Sequence, residues 1–250
     1  MHELLIGLIV TAGGSLLNFI STKIYNSVTG SSKNFIWKNT YPALKSIQTP
    51  LEFEELKKRT RIVVIDDEDS FPISLFQAEN YSIDKWAAVK DYSKLENGFY
   101  DIIVLDIKGV ALHISVDDGL GVLESIKRKN PSQIIIAYSQ HSFDLSKAKF
   151  WELADEKIAK PSDYLKIKNI IDTLIDSKFK PGRYIETLHS ILRKNGYDEI
   201  EIKKLDKELI KVIKNKQQPD WSNILDFASN KPELVHQIIT IGNTLLKFFK

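Results

Sequence analysis

The chain has 250 residues, 43% of them hydrophobic and 27% charged, which suffices for one mid-sized domain and a smaller one. It has no cysteine, which excludes disulfides and thiolate metal centres. Its net charge of +2 lacks the concentrated basic field of a nucleic-acid binder.

The amino terminus is apolar. Leu4 to Thr22 contains no charged residue and approaches the roughly 20 residues a membrane-spanning helix needs. Lys23, Lys33, Lys38 and Lys45 follow, with no acidic residue before Glu52, so the positive-inside bias places the amino terminus outside and the rest in the cytoplasm. Gly7, Thr11, Ala12, Gly13, Gly14 and Ser15 permit close helix approach and therefore dimerisation in the membrane. The expectation is a transmembrane helix in residues 1–25. Residues 26–57 read as a linker and connector that opens on a flexible Ser/Asn-rich stretch and ends in a short helix from Leu51 to Arg59.

Three hydrophobic runs follow, and each ends on a polar residue. Arg61 to Ile65 leads into Asp66-Asp67, Tyr100 to Leu105 into Asp106, and Gln133 to Tyr138 into Ser139. All are short, rich in β-branched residues and apolar on both faces, which predicts parallel strands covered by helices. Ligand chemistry in such sheets sits at the carboxyl ends of the strands, where these polar residues fall. Carboxylates meeting there repel one another, and a hard divalent cation relieves the repulsion.

The region from about 58 to 178 resembles the receiver (CheY-like) domain of bacterial two-component response regulators. The resemblance rests on Asp66-Asp67, Asp106 in Tyr-Asp-Ile-Ile-Val-Leu-Asp, Asp118-Gly119-Leu-Gly-Val-Leu, Ser139, and Ala154 to Lys160-Pro161. It implies a doubly wound parallel five-stranded sheet of the flavodoxin-like α/β class. It further implies Asp106 as phosphoacceptor, Lys160 and Ser139 as its catalytic partners, and Mg²⁺ held by Asp66, Asp67, Asp106 and the backbone carbonyl of Lys108. The implied partner is a histidine kinase or phosphotransfer protein.

The chain departs from the family pattern in three places. The loop between Asp106 and Gly119 is longer than usual, and the proline that commonly follows the acceptor is missing. Lys157 occupies the position of an aromatic switch residue, which Tyr138 could replace only by pointing outward. His113 and His141 lie near the site without metal-ligand spacing.

Beyond Pro181-Gly182, residues 179–250 predict a small helical bundle. Helical spacing covers 183–195, ending at Asn195-Gly196, then 198–216, Trp221 to Phe227, and a last helix opened by Lys231-Pro232-Glu233. Lysines in the second of these helices are interleaved with Glu199, Glu201, Asp206 and Glu208, as on a solvated face. The combined expectation is a phosphoacceptor switch rather than an enzyme, anchored in the bacterial inner membrane by a single pass. It would switch protein contacts, as a homodimer or oligomer, and nucleic acid is disfavoured as a partner. The alternatives are a receiver-like scaffold that is not phosphorylated, or a membrane effector that oligomerises through its amino-terminal helix.

Overall fold

The computed structural model describes residues 51–140 and 148–249. A short helix α1 (Phe53–Arg59) precedes strand β1 (Arg61–Ile65). Then come α2 (Ile73–Ala78), β2 (Ser82–Trp86), α3 (Tyr92–Glu96), β3 (Ile102–Leu105), α4 (Asp118–Lys129), β4 (Ile134–Ser139), α5 (Ala148–Leu153), β5 (Glu156–Ala159) and α6 (Tyr164–Lys178). The five strands form one parallel sheet in the order β2-β1-β3-β4-β5, which is the expected fold class.

The inner strands β1, β3 and β4 are apolar on both faces, so each face needs its own cover. On one face Val63, Ile65, Ile103, Leu105 and Ile135 pack with Leu95, Leu123, Ile126 and Phe150 from α3, α4 and α5. On the other, Ile62, Val64, Ile102, Ile134 and Ile136 pack with Phe76 of α2 and Ile167, Ile171 and Ile175 of α6. Burying such side chains contributes roughly 1.5–3 kcal/mol each, which makes these three runs the centre of the domain. Edge strand β2 alternates exposed and buried positions instead, a weaker sequence signal than the three apolar runs.

Register sets the upper rim of the sheet. Ile65 of β1 lies opposite Leu105 of β3, and Leu105 opposite Ala137 of β4. The backbone hydrogen bonds continue one residue further: Asp66 N–H donates to the Trp86 carbonyl at 3.0 Å, Asp106 N–H to Ile65 at 2.9 Å, and Lys160 N–H to Ser139 at 3.1 Å. Asp66, Asp106 and Lys160 are thus fixed by the sheet although they stand just outside it.

Residues beyond α6 form α7 (Pro181–Lys194), α8 (Glu199–Asn215), α9 (Trp221–Ile224), a 3-10 turn at Asp226–Ala228 and α10 (Pro232–Lys247). Helix α7 ends at Asn195, where Gly196 takes a φ of +87°, and α8 opens on a capping box between Asp198 and Glu201. Leu188, Leu192, Leu205, Leu209, Ile238, Ile241 and Leu245 make a third core, so the apolar face of α10 is spent inside the bundle. The bundle docks on the amino-terminal end of the sheet. Arg183 donates to the Ser132 carbonyl at 2.7 Å, and Lys247 to the Gly98 carbonyl at 3.0 Å and to Asp101 at 3.3 Å.

The expected single-pass placement in the inner membrane is corrected. Among the described residues no helix is long and apolar enough to cross a membrane. The two long helices of the bundle, α8 and α10, have 17 and 16 residues, and each turns its apolar side into the core. Residues 4–22, to which the span was assigned, lie outside the described residues, as do most of the linker and connector and His141.

Candidate phosphoryl and cation site

Asp66, Asp67 and Asp106 each offer a carboxylate oxygen, and these oxygens all lie within 4.8 Å of one another. Two strand ends bring them together: Asp66-Asp67 follows β1, and Asp106 follows the adjacent β3. Asp66 is fully buried and Asp106 is 6% exposed, whereas Asp67 faces outward. The Lys160 side chain, itself 2% exposed, enters from the end of β5. It lies 2.5 Å from Asp66 Oδ1 and 3.4 Å from Glu68 Oε2, and it also donates to Asp106 Oδ2. The Lys160-Pro161 peptide bond is cis.

Burial alone would depress the Lys160 pKa, but hydrogen bonds to Asp106 and Asp66, with their negative charges, hold it above the ordinary lysine value. The ammonium therefore stays charged. Three carboxylates, Asp66, Glu68 and Asp106, share this one cation, and Asp67 adds a fourth negative charge beside them, which leaves excess negative charge in an all-oxygen donor set. That donor set suits a hard divalent ion such as Mg²⁺.

The loop from Ile107 to Asp117 is shaped by Asp118. That residue opens α4 with a φ of +51°, and its carboxylate accepts the amides of Gly109 at 2.6 Å, Val110 at 3.1 Å and Ala111 at 2.6 Å. His113 contacts the Val89 carbonyl at 2.9 Å, which explains that histidine as part of the loop. Gly109, at φ +80°, passes so close to Asp67 that a Cβ there would stand 2.3 Å from Oδ2. Lys108 is exposed beside it. Leu112, Ile114 and Val116 are exposed on the same loop.

Ser139 closes β4 and is buried; its carbonyl receives the Lys160 amide. Tyr138, immediately before it, is fully buried, so it does not supply an outward ring in place of the aromatic that Lys157 replaces. Lys157 itself is exposed on β5. The Tyr138 phenol instead lies 3.1 Å from the Ser70 hydroxyl, which donates to Asp66 Oδ2 at 3.3 Å. Burial pushes the Tyr138 phenol above its usual pKa and keeps it protonated.

Sequence reasoning missed Glu68, Ser70 and Gly109. The first two both lie within three residues of Asp67, but Glu68 meets Lys160 from 92 residues away and Ser70 meets Tyr138 from 68 residues away. Gly109 could have been singled out as a glycine in a loop that begins beside an acidic cluster.

No protein-family model matches the chain, and no curated protein does. Among solved structures it is similar to a CheY-like response regulator receiver domain protein from Methanospirillum hungatei JF-1, at 24% identity and a TM-score of 0.40, over 48% of this chain and 95% of that one. It is also similar to the response regulator TrrA from Thermotoga maritima in complex with Mg²⁺-BeF, at 28% identity and a TM-score of 0.36, over 46% of this chain and 98% of that one. A third similarity is to the beryllofluoride-activated NtrC4 receiver domain dimer, at 24% identity and a TM-score of 0.40, over 47% and 98% of the two chains.

Proposed function

We propose that the chain is a response-regulator-like switch whose Asp106 accepts a phosphoryl group from a phosphohistidine on a histidine kinase or phosphotransfer protein. The observation that carries this reading is the Lys160 ammonium shared between Asp66 and Asp106 at the carboxyl ends of a parallel sheet, with Asp67 beside them. A carboxylate nucleophile, fixed positive charge and an oxygen-ligand cation site are the parts such a transfer uses.

In the proposed step an Asp106 carboxylate oxygen forms a bond to phosphorus as the bond from phosphorus to the donor imidazole breaks. The imidazole leaves with the electron pair and takes up a proton, and the product is an aspartyl phosphate. Lys160 neutralises charge on the transferred oxygens, and the Ser139 hydroxyl hydrogen-bonds one of them. Asp66, Asp67, Asp106 and the Lys108 carbonyl would hold Mg²⁺, which supplies further neutralisation when bound. Asp106 acts as acceptor and not as a turnover catalyst, so the protein is a switch. Its output is a change in protein contacts, with formation of a homodimer among them.

The test is intact-mass analysis of the full chain after incubation with acetyl phosphate, with and without Mg²⁺. One phosphoryl adduct that requires Mg²⁺ and is lost in Asp106→Asn supports the reading. Absence of an adduct, under conditions that label a working receiver, overturns it and leaves a binding module that is not phosphorylated.

A further inference from the structure

The Asp66 carboxylate is engaged at both oxygens. Oδ1 takes the Lys160 ammonium at 2.5 Å, and Oδ2 takes the Ser70 hydroxyl at 3.3 Å. A serine hydroxyl has one proton, and Ser70 gives it to Asp66, so the hydrogen bond of 3.1 Å between Ser70 and Tyr138 is donated by the phenol. The Tyr138 ring centroid lies 4.9 Å from the Lys160 nitrogen, which closes a circuit of four side chains: Asp66, Ser70, Tyr138 and Lys160. They come from the ends of β1 and β5, the loop after β1, and β4.

The ring has no freedom to leave this circuit. Tyr138 is fully buried, Phe71 meets it edge-on with centroids 5.4 Å apart, and Phe71 stacks on Phe76 of α2 at 5.4 Å. A core tyrosine ordinarily gives its hydroxyl to the nearest acceptor, and nothing further follows. Here the donor chain runs from the phenol through one hydroxyl to a buried site carboxylate, and successive donors in such a chain polarise one another.

We propose that Ser70 and Tyr138 are positioning residues that hold Asp66 and Lys160 in the arrangement the cation and the phosphoryl group require. This rests on the phosphoacceptor reading. Neither residue touches the reacting atoms; each acts by removing rotamer freedom from Asp66 and by restraining the Lys160 amine. Without the phenol the Ser70 hydroxyl loses its donor, and without Ser70 the Asp66 Oδ2 loses its own. Both losses act through the same carboxylate, so their effects coincide rather than multiply.

The experiment is a calorimetric Mg²⁺ titration of the full chain and of Ser70→Ala, Tyr138→Phe, the double variant and Ser70→Thr, each checked by far-UV circular dichroism. Each single loss is expected to weaken Mg²⁺ binding about threefold to tenfold, the effect of one hydrogen bond. The double variant is expected to be no worse than the weaker single, and Ser70→Thr, which keeps the hydroxyl, to bind as the parent does. Tyr138→Phe keeps the ring and so remains informative if Ser70→Ala fails to fold. Singles that bind as the parent, or losses that multiply in the double, overturn the proposal. A parent that binds Mg²⁺ with these couplings but takes no phosphoryl group overturns the phosphoacceptor reading alone. A parent that binds no Mg²⁺ overturns both.

Discussion

Lys160 and Asp66 lie 94 residues apart in the chain, yet the ammonium stands 2.5 Å from the carboxylate, with both side chains almost wholly buried. The same ammonium also serves Asp106, so one charge holds the ends of three strands together. Removing one partner of such a buried pair leaves charge without compensation, which generally costs about 3–5 kcal/mol. Lys160→Ala is therefore expected to lose roughly 3 kcal/mol in chemical denaturation. Mg²⁺ is expected to recover part of that loss in the variant, because a cation among Asp66, Asp67 and Asp106 replaces the missing charge. A loss that Mg²⁺ does not touch would separate the lysine from the cation site.

Gly109→Ala tests the approach of the loop to Asp67. The new Cβ would stand 2.3 Å from Asp67 Oδ2, at a backbone φ of +80° that disfavours alanine. The variant is expected to bind Mg²⁺ at least tenfold more weakly, while the backbone term alone destabilises it by only about 1 kcal/mol. Unchanged Mg²⁺ affinity would show that Asp67 does not hold the cation.

Asp118→Ala removes the acceptor of three loop amides. Hydrogen exchange at Gly109, Val110 and Ala111 is expected to quicken by about tenfold or more, since hydrogen bonds to a charged group contribute roughly 1.5–3 kcal/mol each. Exchange in β1 and β4 is expected to stay near the parent rates. Uniform acceleration across the sheet would instead mark Asp118 as a support of the whole domain.

Asp155 gives the clearest expectation for pH. Burial works to raise its pKa, but Lys127 at 2.6 Å, the Ile135 amide at 2.9 Å and Lys178 at 2.9 Å outweigh burial and leave it below the ordinary value. A depressed carboxylate contributes stability that is present above its unfolded pKa, near 3.8, and is lost as pH falls through the folded value. The parent is thus expected to lose stability below about pH 4. Asp155→Asn is expected to start less stable at neutral pH and to show a shallower acid limb in denaturation midpoints. An identical acid slope in both would remove Asp155 from the account.

Much of the sheet could be read directly because Ile62 to Ile65, Ile102 to Leu105 and Ile134 to Tyr138 are apolar at every position, a pattern that only a strand buried on both faces needs. Asp66 and Asp106 stand out for the same reason, each being the first polar residue after such a run, whereas Lys160 follows a strand exposed at three of its four positions and was legible only through the resemblance carried by Lys160-Pro161. Edge strand β2 was harder, since Ser82, Asp84 and Lys85 dilute the hydrophobic signal. The inward turn of Tyr138 toward Ser70 was not legible, because strand alternation does not say which face is crowded by Phe71. Nor could the sequence say that the bundle caps the amino end of the sheet. That contact depends largely on Arg183 and Lys247 reaching the backbone carbonyls of Ser132 and Gly98, which carry no side-chain signature, and on a Lys247–Asp101 pair 146 residues apart in the chain.

The location of the phosphoryl group tests the central claim most directly. The acetyl phosphate-treated full chain would be reduced with borohydride, which converts an aspartyl phosphate to homoserine, then digested and sequenced by tandem mass spectrometry. Conversion confined to residue 106, dependent on Mg²⁺, is the expected result. Conversion at Asp66, Asp67 or a surface carboxylate, or none at all, would contradict the account.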